Sequence, residues 1–233
     1  MTFYKIYSYM MNVSQISVFF ITVPVILLAL TFHEVSHGYA AYRMGDSTAK
    51  NFGRLSLNPL KHLDIVGALC MLVFHFGWAK PVPINSRNFK NPRKGMAITA
   101  LAGPVSNFIL AFISLLLFYI CAALLELIPT ESDLPDFLCK FIAYTLLFFQ
   151  YGTILNVSLG LFNMIPVPPL DGSRVLYVFL PPKYYFGVMK YERYISLALF
   201  ALLYIGVLDA PLSFLVGKII SGMEFIINLI PFI

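Results

Sequence analysis

The chain has little charge: 12% of its 233 residues are Asp, Glu, Lys or Arg, against about 25% in an average soluble domain. Apolar side chains make up 59%, and the mean hydropathy is +0.81. So little polar surface cannot cover a chain of this size in water. That excludes an ordinary cytosolic enzyme, a disordered protein and a nucleic-acid binder. What remains is a polytopic membrane protein, helical because its apolar runs are long. Cysteine is nearly absent as well. Cys70, Cys121 and Cys139 are odd in number and scattered, so they imply neither a disulfide framework nor a metal-ligand spacing. Acidic residues are the rarer charge, 11 against 16 basic ones, an imbalance that in a membrane protein speaks to loop orientation. A cleavable leader is not expected, since Lys5 is the only basic residue before the first apolar run and no small-x-small site follows. One integral-membrane domain over 1–233 is expected, because about five or six spans with their connections use nearly every residue.

Long apolar runs occupy 17–42, 97–125 and 141–165. A shorter run, 63–78, extends about 24 Å as a helix, less than the ~30 Å hydrocarbon core, and reads as re-entrant or interfacial. The tail, 194–232, holds two apolar runs separated by Asp209-Ala210-Pro211 and reads as a hairpin of two spans. Nine Lys/Arg against two acidic residues lie between 43 and 94, and four Lys/Arg between 166 and 193; 126–140 carries four acidic residues and Lys140. Basic loops stay in the cytoplasm. The N-terminus and 126–140 are therefore expected outside, with 43–94 and 166–193 inside. Pro81, Pro83 and Pro92 keep 79–95 from being helical throughout.

Tyr and Cys apart, the only ionisable residues in the three long runs are His33, Glu34 and His37. Such groups inside a span are costly and functional by default. Their pattern is His-Glu-x-x-His, which places the two imidazoles one helical turn apart on nearly one face, where they can grip a single Zn²⁺. Glu34, turned about 100° away, is beside the metal and able to take and return a proton. With four His, a chance match is on the order of one in a thousand. A structural zinc staple would be rich in Cys, and none lies nearby. A catalytic site needs a third protein ligand, and the candidates are Asp46, His62, Asp64, His75 and Asp171. The stretch Asn163…Pro166-Val-Pro168-Pro169-Leu-Asp171-Gly172 singles out Asp171, because three prolines end the helix and leave irregular backbone of the kind that lines a wet cavity. His62 and His75 then read as interfacial polar residues. Asn107 is open to two readings, a hydrogen bond to a scissile region or an interhelical contact beside small Ala102 and Gly103.

These motifs, with Gly53-Arg54-Leu55-Ser56-Leu57-Asn58-Pro59-Leu60-Lys61-His62, Gly77-Trp78-Ala79-Lys80-Pro81-Val82-Pro83 and Ala102-Gly103-Pro104-Val105-Ser106-Asn107, resemble the site-2 protease family of intramembrane zinc metalloproteases, in its compact bacterial and archaeal form. The resemblance runs from about residue 20 to 180. It implies an all-α membrane protein with a three-helix catalytic core within about 17–180, extra spans, and a re-entrant or extended cytoplasmic-side segment at about 53–95. It implies one Zn²⁺ per chain on His33, His37 and Asp171, with Glu34 as acid/base and Asn163 positioning the substrate. The substrate would be a transmembrane segment of another membrane protein, cleaved toward the cytoplasmic side of a cell membrane, with the bacterial cytoplasmic membrane preferred. In a chain of this length no PDZ or CBS domain is expected, and no nucleic-acid partner is implied. A zinc transporter or sensor would also use two His and an Asp, but gives no role to a Glu directly after the first His.

Overall fold

A computed structural model describes residues 2–64, 66–67, 79–129 and 134–230. Its architecture is helical: α1 (Thr2–Met11), α2 (Gln15–Arg43), α3 (Thr48–Asn51), α4 (Pro92–Glu126), α5 (Asp136–Asn163), α6 (Asp171–Leu176), α7 (Pro182–Met189), α8 (Glu192–Tyr204) and α9 (Asp209–Ile227). Four of these, α2, α4, α5 and α9, are long and apolar enough to cross a membrane.

Local chemistry sets the ends of the long helices. Ser14 caps α2 by accepting a hydrogen bond from the Ser17 amide at 3.2 Å. Asn91 does the same for the Lys94 amide at 3.1 Å, with Pro92 in the first helical position. Helix α2 turns off at Gly45, whose φ of 112° is open to glycine and strained for other residues. Helix α5 stops at Asn163, just before the prolines.

Helices α2, α4 and α5 pack on one another, and α6 folds back onto α4. The crossing of α4 and α5 is close because it is built on small residues. A Cβ added at Gly152 would stand 2.8 Å from Ser114 Oγ, and one at Gly160 would stand 3.2 Å from the Pro104 carbonyl oxygen. In hydrocarbon, where burial of apolar surface gives helices little reason to associate, such backbone approach supplies the packing. At the end of the bundle away from the prolines, α1 sits on α5. Ile6 joins Leu125, Cys139, Ala143 and Leu146 in a buried cluster, and the Tyr9 hydroxyl donates to Asp136. Helix α1 carries too short an apolar pattern to be read from composition alone.

The tail departs from the two-span reading. Its helices are there, but α8 has 13 residues, about 20 Å of rise, too short for a ~30 Å core. Gly206, at φ 79°, breaks the chain before Asp209, and only α9, with 19 residues, reaches spanning length. The short run 63–78 falls mostly outside the described residues, as do Cys70 and His75. Its flanks are joined: Leu63 and Ala79 form an antiparallel bridge, and the Lys80 amide donates to the His62 carbonyl at 2.8 Å.

Replacing Gly152 with Leu is expected to force α4 and α5 apart and cost about 1–3 kcal/mol as overpacking, read as a lower unfolding midpoint in detergent.

Candidate metal centre

Helix α2 carries His33 and His37 on one face, and both are buried, at 5% and 7% exposure. Each imidazole is anchored through Nδ1. His33 Nδ1 lies 2.7 Å from Asn107 Oδ1 on α4, and His37 Nδ1 lies 2.7 Å from the Thr99 carbonyl oxygen, also on α4. Both partners accept, so both Nδ1 atoms donate and both Nε2 atoms are left bare. The two Nε2 atoms lie 2.9 Å apart. Asp171, in the first turn of α6, brings Oδ2 to 3.1 Å from each of them.

These three atoms suit a shared cation. Two imidazole lone pairs and a carboxylate oxygen repel one another unless a positive centre lies between them. Asp171 Oδ2 is buried and has no hydrogen-bond partner of its own. In a tetrahedral zinc site with bonds of 2.0–2.2 Å, neighbouring ligand atoms stand about 3.3 Å apart, close to the spacings here. Among the described residues this is the one cluster of three His, Cys, Asp or Glu side chains able to hold a metal. Its rear wall is backbone. A Cβ added at Gly103 would lie 2.5 Å from His37 Cε1 and Nε2 and 2.6 Å from His33 Cε1. On the other side, Gly172 lets the chain leave Asp171 under the end of α5, where a Cβ would meet the Met164 carbonyl oxygen at 2.3 Å.

Glu34 follows His33 on α2 and its carboxylate is held by a partner outside the cluster. Its Oε2 accepts the Val82 amide at 2.8 Å, so the carboxylate stands between the helix that holds the imidazoles and the proline-rich segment beyond the bridge at Ala79. Asn163 is half-buried in the last turn of α5, with Nδ2 donating to the Leu159 carbonyl at 3.0 Å. Asn107 is fully buried. Its Oδ1 accepts from His33, while Nδ2 donates to the Ala29 carbonyl at 3.1 Å and to Asn156 Oδ1 at 3.0 Å. Of the two readings of Asn107, these bonds correspond to the interhelical contact. His62 is buried with Nε2 donating to the Ser56 carbonyl at 2.8 Å, and Asp64 accepts the Gly67 amide.

Some of the site escapes the sequence pattern. Asn156, on α5, continues the hydrogen-bond thread from His33 through Asn107 and itself donates to the Gly152 carbonyl. Its signal was an uncharged amide inside an apolar run, which a search for ionisable groups passes over. The Thr99 carbonyl has no side-chain signature at all.

The comparisons with known proteins agree with this chemistry. The model of "Peptidase family M50" matches residues 21–206. The chain therefore belongs to the M50, or site-2 protease, family of zinc metallopeptidases. It is 44% identical over 158 residues to the "Putative zinc metalloprotease YwhC" of Bacillus subtilis, covering 67% of this chain and 68% of that one. It is 31% identical over 163 residues to the "Putative zinc metalloprotease MJ0611" of Methanocaldococcus jannaschii, covering 70% and 72%. Against the "Putative zinc metalloprotease Rip2" of Mycolicibacterium smegmatis the identity is 28%, over 73% of this chain and 61% of the relative. No solved structure matches.

Two substitutions test the centre through zinc content. Gly103→Ala is expected to displace both imidazoles and abolish stoichiometric zinc. Asn107→Ala frees the His33 ring and should weaken zinc binding about 10–100-fold, measured by competition with a chelator.

Proposed function

We propose that this membrane metallopeptidase is an intramembrane endopeptidase that hydrolyses a peptide bond within or near a transmembrane segment of another membrane protein. The observation that carries the reading is the convergence of His33 Nε2, His37 Nε2 and Asp171 Oδ2 among helices of spanning length, with Glu34 directly after His33 on the same helix and its carboxylate held by a segment of extended chain. His33, His37 and Asp171 would hold one Zn²⁺. When bound, zinc supplies a Lewis acid that polarises the scissile carbonyl and lowers the pKa of water.

The chain's own residues do the rest. Glu34 receives the proton of the attacking water on its carboxylate and hands it to the departing amine nitrogen. Its backbone anchor on Val82 limits the rotamers it can occupy. Asn107 and Thr99 keep both imidazoles in the tautomer that presents Nε2. Asn163, at the mouth of the proline-rich turn, orients the substrate. A helical substrate hides its peptide bonds in its own hydrogen-bond ladder, so the segment must unwind before it can react. An unwound segment needs backbone partners in a dry site. Residues 80–85 carry no helical turn, and the Ile84 amide has no partner among the described residues, so this stretch can pair with an extended substrate by strand addition. The basic loops around 43–94 and 166–193 favour a cytoplasmic position for the site in a cell membrane.

The test is Glu34→Gln in purified protein, with a single-span substrate in detergent. Cleavage is expected to fall about 10²–10⁴-fold while zinc content stays at one per chain. Cleavage at the wild-type rate would remove the acid/base assignment, and with a transported zinc signal would point to a transporter. For the pairing edge, Ile84→Pro is expected to reduce cleavage at least about tenfold with zinc unchanged. It spares Asn85, whose amide is engaged elsewhere.

A further inference from the structure

The acid/base proposed above is held by the middle of a longer hydrogen-bonded strap. Residues 79–88 lie lengthwise along the side of α2 that presents Glu34 and Gly38. A Cβ added at Gly38 would stand 3.2 Å from Val82 Cγ1, 3.2 Å from Ala49 Cβ and 2.7 Å from Leu55 Cδ2, so Val82 is seated against bare helix backbone. At its near end the strap is tied by the Leu63–Ala79 bridge and by Arg54, whose Nη2 donates to the Lys80 carbonyl at 2.6 Å. In the middle, the Val82 amide donates to Glu34. At the far end everything gathers on Asp46.

Asp46 is fully buried. Its Oδ2 accepts the Asn85 amide at 2.7 Å, and its Oδ1 accepts Asn88 Nδ2 at 2.7 Å, the Thr48 amide at 3.1 Å and the Thr48 hydroxyl. Its own amide donates to the Ala41 carbonyl at 2.9 Å, which roots it in the last turn of the helix that carries Glu34. Among the described residues no Lys or Arg stands within ion-pair distance of it. A buried carboxylate with no cation is costly unless it is fully hydrogen-bonded. Burial disfavours its charge, yet the donors from Thr48, Asn85 and Asn88 outweigh burial and hold the carboxyl below its usual range. The anion is thus bound where an amide could not serve, because Asn would turn an NH₂ group toward donors.

We propose that Asp46 is a positioning residue for proteolysis: it fixes the strap at Asn85 and Asn88 so that the Val82 amide stays aimed at the Glu34 carboxylate. The inference rests on Glu34 being the acid/base. Asp46 touches neither substrate nor metal ligand, and acts by holding a backbone donor in register with α2.

The experiment compares wild type, Asp46→Asn, Asn88→Ala and Glu34→Gln as zinc-loaded protein in detergent, with steady-state cleavage, zinc content and residue-resolved amide exchange of 79–91. Asp46→Asn is expected to lower kcat about tenfold with KM changed less than about threefold, zinc at one per chain, and faster exchange at the Val82 and Asn85 amides. Asn88→Ala, which trims an exposed side chain and one of the bonds, should lower kcat about two- to fivefold with a smaller exchange effect, and decides the matter if Asp46→Asn does not fold. Wild-type kcat in the folded variants, unchanged exchange at Val82, or a loss that tracks zinc content would overturn the proposal. If Glu34→Gln cleaves like wild type, the acid/base reading fails; if it is inactive while Asn88→Ala and folded Asp46→Asn match wild type, only the role of Asp46 fails.

Discussion

The centre depends on which nitrogen each imidazole leaves bare. A histidine has two, and nothing in the ring itself favours one strongly enough to build a site on. Here α4 decides, with the Asn107 amide oxygen against His33 and the Thr99 carbonyl against His37. Both acceptors sit on a helix interior, where position is set by the backbone ladder, and both demand a proton on Nδ1. Two lone pairs are then presented at one point, and Asp171 completes the triangle from a third direction. Rotation of α4 by a fraction of a turn would undo all of this. The packing of α2 on α4 therefore acts as part of the coordination chemistry, and the Asn107–Asn156 bond extends that dependence to α5.

The proposed acid/base is held from a different direction. Glu34 belongs to the same helix as the imidazoles, yet its partner comes from the extended strap, and the strap is fastened to α2 again at Asp46. The imidazoles and the Glu34 carboxylate thus share one helix but are held by separate elements, α4 for the imidazoles and the strap for the carboxylate. Backbone amides are well suited to the second task, since a donor fixed by chain geometry loses no side-chain entropy when it binds.

Much of this was readable from residue order, for reasons that differ from feature to feature. His33, Glu34 and His37 stand out because charge is expensive in a span and helical periodicity ties residues four apart to one face. Asp171 was legible through its company, three prolines that stop a helix just before it. The three long helices announced themselves by length alone. What stayed hidden relies on relations between distant backbones. The Thr99 carbonyl carries no side-chain signal, and Asn156 is a single amide in an apolar run. Asp46 drew notice as a candidate ligand, because sequence cannot tell a carboxylate that holds a metal from one that holds amides. The lengths of the two tail helices are less legible, because hydropathy counts apolar residues and does not register where Gly206 divides them, which leaves α8 with 13 residues.

The bare backbone at Gly103 has a directional consequence. The wall it forms behind the two imidazoles is already as thin as a polypeptide can make it, so any other residue there adds volume on the side of the rings. Mutation at that position can shrink the metal chamber but has no means of enlarging it.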